Sequence, residues 1–153
     1  MRRATVDDAG LIASLNADVQ AVHAAALPWR FKTPSPEGFS AEAESFLAKP
    51  ENLVFVAEAE GVPAGYAYAE TIRRPATSLV YAHKMILIHH ISVRPAYRRR
   101  GVGTALIDTV RAAGRESGID LLALDVWTFN ETARAFFRRH GFAAYIERLW
   151  SRE

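Results

Sequence analysis

The chain has 153 residues, half of them hydrophobic, no cysteine, and 19 lysine and arginine residues against 17 aspartate and glutamate, a formal charge of +2. That length suits one domain over 1–153 with a full core. Without thiols there are no disulfides, zinc thiolate centres or cysteine nucleophiles, and so small a charge gives no basis for a nucleic-acid surface. No apolar run approaches the roughly 18 residues of a membrane span, and 1–8 lack the apolar segment of a signal peptide. The expected setting is the cytoplasm, with neither membrane nor nucleic acid as partner.

In chain order, 2–6 is predicted to be a short strand, and Asp7 or Asp8 can cap the helix that follows. Leu11, Ile12, Leu15, Val19, Val22 and Leu27 then recur at helical spacing until Pro28. Residues 29–36 hold two aromatics and two prolines and are expected to be a stiff loop, with a second helix over 40–49 ended by Pro50. Strands are predicted over 52–60 and 64–73, joined by a turn of three to five residues around Gly61. A central strand over 85–93 is apolar on both parities, which suits a strand covered on both faces. Two histidines interrupt it. On an unbroken strand His89 shares a face with Leu87, Ile91 and Val93, and His90 with Ile88 and Ser92.

Pro95 stops that strand, and the run Arg98, Arg99, Arg100, Gly101, Val102, Gly103, Thr104 leads into a helix marked by Ala105, Leu106, Ile107, Val110 and Ala113. The first N–H groups of a helix lack intrahelical partners and sit at its positive end, so a helix opening after glycines can bind an anion, and arginines add charge. Ser117 and Gly118 end the helix, 119–127 is a buried strand, Asn130 opens a helix through Arg139, and 142–150 is a final strand. The order βααβββαβαβ gives a mixed α/β or α+β fold: a mostly antiparallel sheet of about six to seven strands with helices on both faces. Gly101 and Gly103 alone also fit a dinucleotide fingerprint with Asp125 as the ribose acid. That reading lacks the third glycine and the tight strand-to-helix turn.

The run from Arg98 to Gly103 resembles the acetyl-coenzyme A signature of the GNAT superfamily of N-acetyltransferases. Asn130, Ala133, Phe136, Gly141 and Phe142 fall at the spacing of that family's later helix, although 20–84 carries no diagnostic motif. The resemblance implies an acetyl-CoA-dependent enzyme that moves acetyl directly to a primary amine of a small molecule, peptide or protein. It implies pyrophosphate on the turn from Arg98 to Thr104, pantetheine beside Ile91, Ser92 and Val93, and Asn130 and Phe137 against the cofactor. Metals are not implied, and a homodimer is among the expected assemblies.

An attacking amine must be neutral, and amines of reference pKa about 8 to 10 are mostly protonated at neutral pH, so a base is useful. The resemblance favours His89 over His90 for that role. Many family members place a tyrosine where this chain has Phe137. Tyr145, Tyr97 or water is then left to protonate the departing thiolate, and the catalytic pair expected is His89 with Tyr145. A coenzyme A-binding module without turnover is the alternative. His23, Trp29 and Phe31 are candidate walls of the acceptor pocket, and Arg134, Arg138 and Arg139 form a solvated face within reach of the cofactor's 3′-phosphate.

Overall fold

A computed structural model describes residues 1–151. It contains strands β1 (Arg2–Arg3), β2 (Asn52–Ala59), β3 (Val62–Arg74), β4 (His83–Val93) and β5 (Leu122–Leu124), with helices α1 (Ala9–Ala26), α2 (Pro36–Leu47), α3 (Val102–Glu116) and α4 (Glu131–Arg139). The strands lie in chain order across one sheet. The β1/β2, β2/β3 and β3/β4 pairs are antiparallel, and only β4/β5 is parallel. A parallel pair needs a crossover, and α3 supplies it.

Alternation along the central strands divides the apolar side chains between two cores. On one side Phe55, Ala67, Ile86 and Ile88 pack with Leu106 and Val110 of α3; on the other Val54, Val56 and Tyr66 pack with Ile12 and Leu15 of α1 and Phe46 of α2. Burying an aliphatic or aromatic side chain of this kind contributes about 1.5 to 3 kcal/mol, so the two layers fix the sheet between them. Gly65 permits the close β3/β4 approach: a Cβ there would stand 2.5 Å from the Ser92 carbonyl oxygen.

Several elements depart from expectation. The sheet has five strands among the described residues, not six to seven, because 142–150 finds no ladder partner and stays irregular. Its Ile146, Leu149 and Trp150 are exposed. β5 pairs for only three residues rather than running over 119–127. α2 begins at Pro36, inside the expected loop, since proline at the first helical position sacrifices no needed N–H, and the Ser35 hydroxyl accepts from the Gly38 N–H at 3.3 Å. The β2/β3 turn has two residues, Glu60 and Gly61, both with positive φ (55° and 76°), the backbone that matches strand twist in a tight hairpin.

Candidate functional site

β4 pairs with β5 only from Ile86 to Ile88, opposite Leu122 to Leu124. Beyond that point the strands separate. Among the described residues, β4 from His89 to Val93 then has a ladder neighbour on the β3 side alone. A cleft of about 750 Å³ opens there, between β4, the segment after β5, α1, the 31–36 loop and α4. Its lining includes His23, Phe31, His89, His90, Ile91, Asn130 and Phe137.

The β4 register contains an irregularity that the sequence does not announce. Tyr68 pairs with His90 and Ala69 with Ile88, so His89 is an extra residue with no partner on β3. Such a bulge re-aims side chains and breaks strict alternation. Both histidine rings consequently contact Tyr68, with centroids 4.8 and 5.5 Å away. Ile88 is not on the His90 face as expected: it joins Ile91 and Val93 against the α3-side core.

The two imidazoles occupy different surroundings. His89 Nε2 lies 2.9 Å from Glu70 Oε2, and both side chains are about one third exposed, at 32% and 34%. A carboxylate only accepts, so Nε2 carries the proton and Nδ1 keeps a lone pair in the neutral ring. Glu70 therefore sets the tautomer and aim of His89. His90 sits among Phe39, Phe46, Tyr66 and Tyr68, with Nδ1 3.1 Å from the Tyr66 hydroxyl. That hydroxyl donates to Asn16 Oδ1 at 2.9 Å, so it accepts from His90 Nδ1–H. Burial, then the neighbouring His89 and His23, pushes His90 down to about 4, and burial also lowers His23.

This burial makes the protein acid-labile. An unfolded His90 takes its proton near 6.5 and the folded one near 4, so between these values the unfolded chain binds more protons. The contribution is whole above pH 6.5 and gone at pH 4, a loss of about 3 kcal/mol. Urea midpoints measured across that window should fall steeply for the native protein and less so for His90→Gln. Equal slopes would exclude the assignment. The charged or titratable groups bearing on His90 are His89 and His23, with the phenols of Tyr66 and Tyr68 against its ring, and His23 acts with the same sign.

After β4 a 3-10 turn over Pro95–Tyr97 leads to Arg99 and Gly101, both with positive φ (58° and 82°). Successive N–H groups around left-handed residues form a concave anion cradle, continued here by the unpaired first N–H groups of α3 at Val102, Gly103 and Thr104. A Cβ on Gly101 would meet nothing within 4 Å, so the turn's face is open. Gly103 differs, because a Cβ there would stand 3.1 Å from the Phe136 ring. The second glycine serves α3/α4 packing.

The arginines are not equivalent. Arg98 Nε donates to the Val93 carbonyl at 3.0 Å, and Arg100 reaches Glu60 at 3.5 Å while lying over the Tyr97 ring. Arg99 is exposed and makes no side-chain pair among the described residues. The Thr104 hydroxyl is 2.9 Å from His140 Nε2, leaving its backbone N–H for the cradle. Asn130 caps α4, its Oδ1 accepting from the Ala133 N–H at 3.1 Å, so its amide NH₂ remains for the cleft. Phe137 is 7% exposed, packed against Phe136 and Phe142.

A family model described as the acetyltransferase (GNAT) family matches residues 19–142. The chain belongs to the GNAT acetyltransferase family. Among curated relatives, an uncharacterized N-acetyltransferase of Methanocaldococcus jannaschii is 31% identical over 96 residues, covering 63% of this chain and 41% of the relative. The chain thus matches less than half of that relative's length. Among solved structures, a tetramutant of the BH1408 protein from Bacillus halodurans superposes with TM-score 0.94 at 22% identity, covering 99% of this chain and 98% of the other. The aminoglycoside N-acetyltransferase AAC(6′)-Iy in complex with CoA gives TM-score 0.77 at 22% identity, covering 99% and 92%. These structures share the fold, and on this GNAT chain the cradle and the split between β4 and β5 lie in the matched region.

The cleft gathers His23, Phe31, His89, Ile91, Asn130 and Phe137 as the sequence reading expected, but not all of the expected residues. Tyr145 is 77% exposed and does not line it. Trp29 also lies off the lining and stacks on Trp150 at 5.2 Å. The Ser92 side chain is spent on structure, its hydroxyl donating to the Leu15 carbonyl at 2.7 Å. Glu70 and Tyr66 of β3, Asn16 of α1, Glu42 of α2 and Trp127 after β5 carried no signal, since pairing and packing, not local sequence, bring these four parts of the chain to the site.

Proposed function

We propose that this chain is an acetyl-CoA-dependent N-acetyltransferase acting on a primary amine. The observation that carries the reading is the conjunction of an anion cradle from Arg99 to Thr104 with a β4 edge freed beside the cleft that holds His89. These residues fit coenzyme A: open N–H groups for pyrophosphate, an unpaired strand edge from Ile91 to Val93 for the amide-bearing pantetheine arm, and Asn130 and Phe137 opposite.

Bound acetyl-CoA supplies an activated thioester, so the amine nitrogen bonds to the acetyl carbon as the carbon–sulfur bond breaks and coenzyme A leaves as the thiolate. His89 Nδ1, aimed by Glu70, takes the proton that the amine nitrogen must lose. A backbone N–H at the end of β4 polarises the carbonyl. Water protonates the thiolate, whose pKa resembles the 8.5 of a free thiol and which leaves without an acid. Tyr145, exposed and away from the cleft, is not assigned that proton. The acceptor is a small-molecule or peptide amine, and a cytoplasmic homodimer is the setting this reading carries forward.

Isothermal titration with acetyl-CoA, paired with thiol release against a panel of primary amines, tests the reading. Saturable binding and amine-dependent thiol release are expected. Absence of binding would overturn it, and binding without release from any amine would make the chain a coenzyme A-binding module.

A further inference from the structure

The acceptor half of the cleft has an aromatic wall and little charge. The Phe31 and Trp127 rings meet nearly perpendicularly, 5.3 Å apart at 88°, and His23 lies 5.0 Å from Phe31. All three line the cleft with His89. Phe129 already stacks on Trp127 at 6.0 Å and 16°, so what the corner offers a further aromatic ring is the surface of Phe31 and Trp127 that lines the cleft, which it can meet edge-on or offset. The charged lining consists of the carboxylates Glu42 and Asp125 against Lys32, and burial holds His23 and His90 below the ordinary imidazole value, in the neutral form. Arg30 adds a guanidinium 5.1 Å from the Trp127 ring centroid and 5.9 Å from that of Phe31. With Lys32 and Arg30 set against Glu42 and Asp125 the surroundings carry no net charge, so they give several ammonium groups no advantage over one, and a polyamine would bring further ammonium groups toward Arg30 and Lys32.

We infer that the acceptor is a primary monoamine carrying an aryl group, its ring held by Phe31 and Trp127 and its nitrogen presented toward His89. The inference rests on the acetyltransferase reading above and narrows it. Polycationic acceptors such as aminoglycosides are selected against by the cations at the corner. An alkylamine of equal length enters but makes no ring–ring contact with the cleft-lining surface of Phe31 and Trp127.

Thiol release from acetyl-CoA should be followed with 2-phenylethylamine, hexylamine, spermidine and kanamycin. The expected kcat/KM for 2-phenylethylamine exceeds each of the others by about tenfold or more, the worth of an aromatic contact plus its burial. In Phe31→Leu, which keeps an apolar side chain and should preserve packing, the ratio of phenylethylamine to hexylamine should fall about fivefold, mainly through KM. Trp127→Leu should act in the same direction. Equal rates for phenylethylamine and hexylamine, or a preference for spermidine or kanamycin, would overturn the inference and leave the acetyltransferase reading standing. An unchanged ratio in both variants would overturn it too. No thiol release with any amine would remove both.

Discussion

Replacing His89 with alanine should lower kcat by about 100-fold to 10,000-fold, the range typical of a lost general base, with acetyl-CoA affinity unchanged within about twofold. The expectation rests on the contrast between adjacent imidazoles. His90 is buried, its Nδ1 engaged by Tyr66 and its protonated form held off until about pH 4, so near neutrality it is a poor proton acceptor. His89 is partly exposed, lines the cleft, and has its tautomer set by Glu70 at 2.9 Å. Glu70→Gln should cost less than removing the ring, because the amide oxygen still accepts from Nε2 while the negative charge that stabilises the imidazolium is gone. The decisive measurement is a pH–rate profile of both variants with the best acceptor amine. If His89→Ala kept wild-type kcat across about pH 6 to 9, the proton would be leaving by another route.

The bulge at His89 also shows where the sequence stopped being informative. Strand parity assigns neighbouring residues to opposite faces, and by that rule only one of the two histidines belongs to the cleft. One inserted residue suspends the rule, and nothing in Ile88-His89-His90-Ile91 marks it, because the irregularity is a property of the pairing with Tyr68 and Ala69. Local signals did better. The glycine turn and the Asn130 cap are each written within one turn of chain and the apolar period of α3 within one helix, and each is where expected. The 142–150 segment failed for the converse reason: its composition suits a strand, but strands exist through partners, and the described residues provide none. Ser35 and Pro36 form a helix start, a capping hydroxyl followed by proline at the first helical position, inside the stretch expected to be loop.

Gly101→Val should weaken acetyl-CoA binding by about 100-fold or more, equivalent to about 2.7 kcal/mol. Two separable effects contribute. The native φ of 82° is reached by glycine at no steric cost, while a β-branched residue there is an outlier, so the turn that ends at α3 must distort. The added side chain would also project into space beside the turn where the protein itself places nothing within 4 Å, the space proposed for the phosphates. Gly101→Asn distinguishes them, because asparagine tolerates the left-handed region. It should keep an unfolding midpoint near that of the native protein and still lose affinity if the open face is the phosphate seat. Gly103→Ala gives the contrasting outcome: its Cβ presses on Phe136 at 3.1 Å, so the first loss is stability at the α3/α4 contact. Titration calorimetry and urea unfolding on the three variants check this directly. Gly101→Val binding acetyl-CoA within about threefold of the native protein would move the phosphate away from this turn.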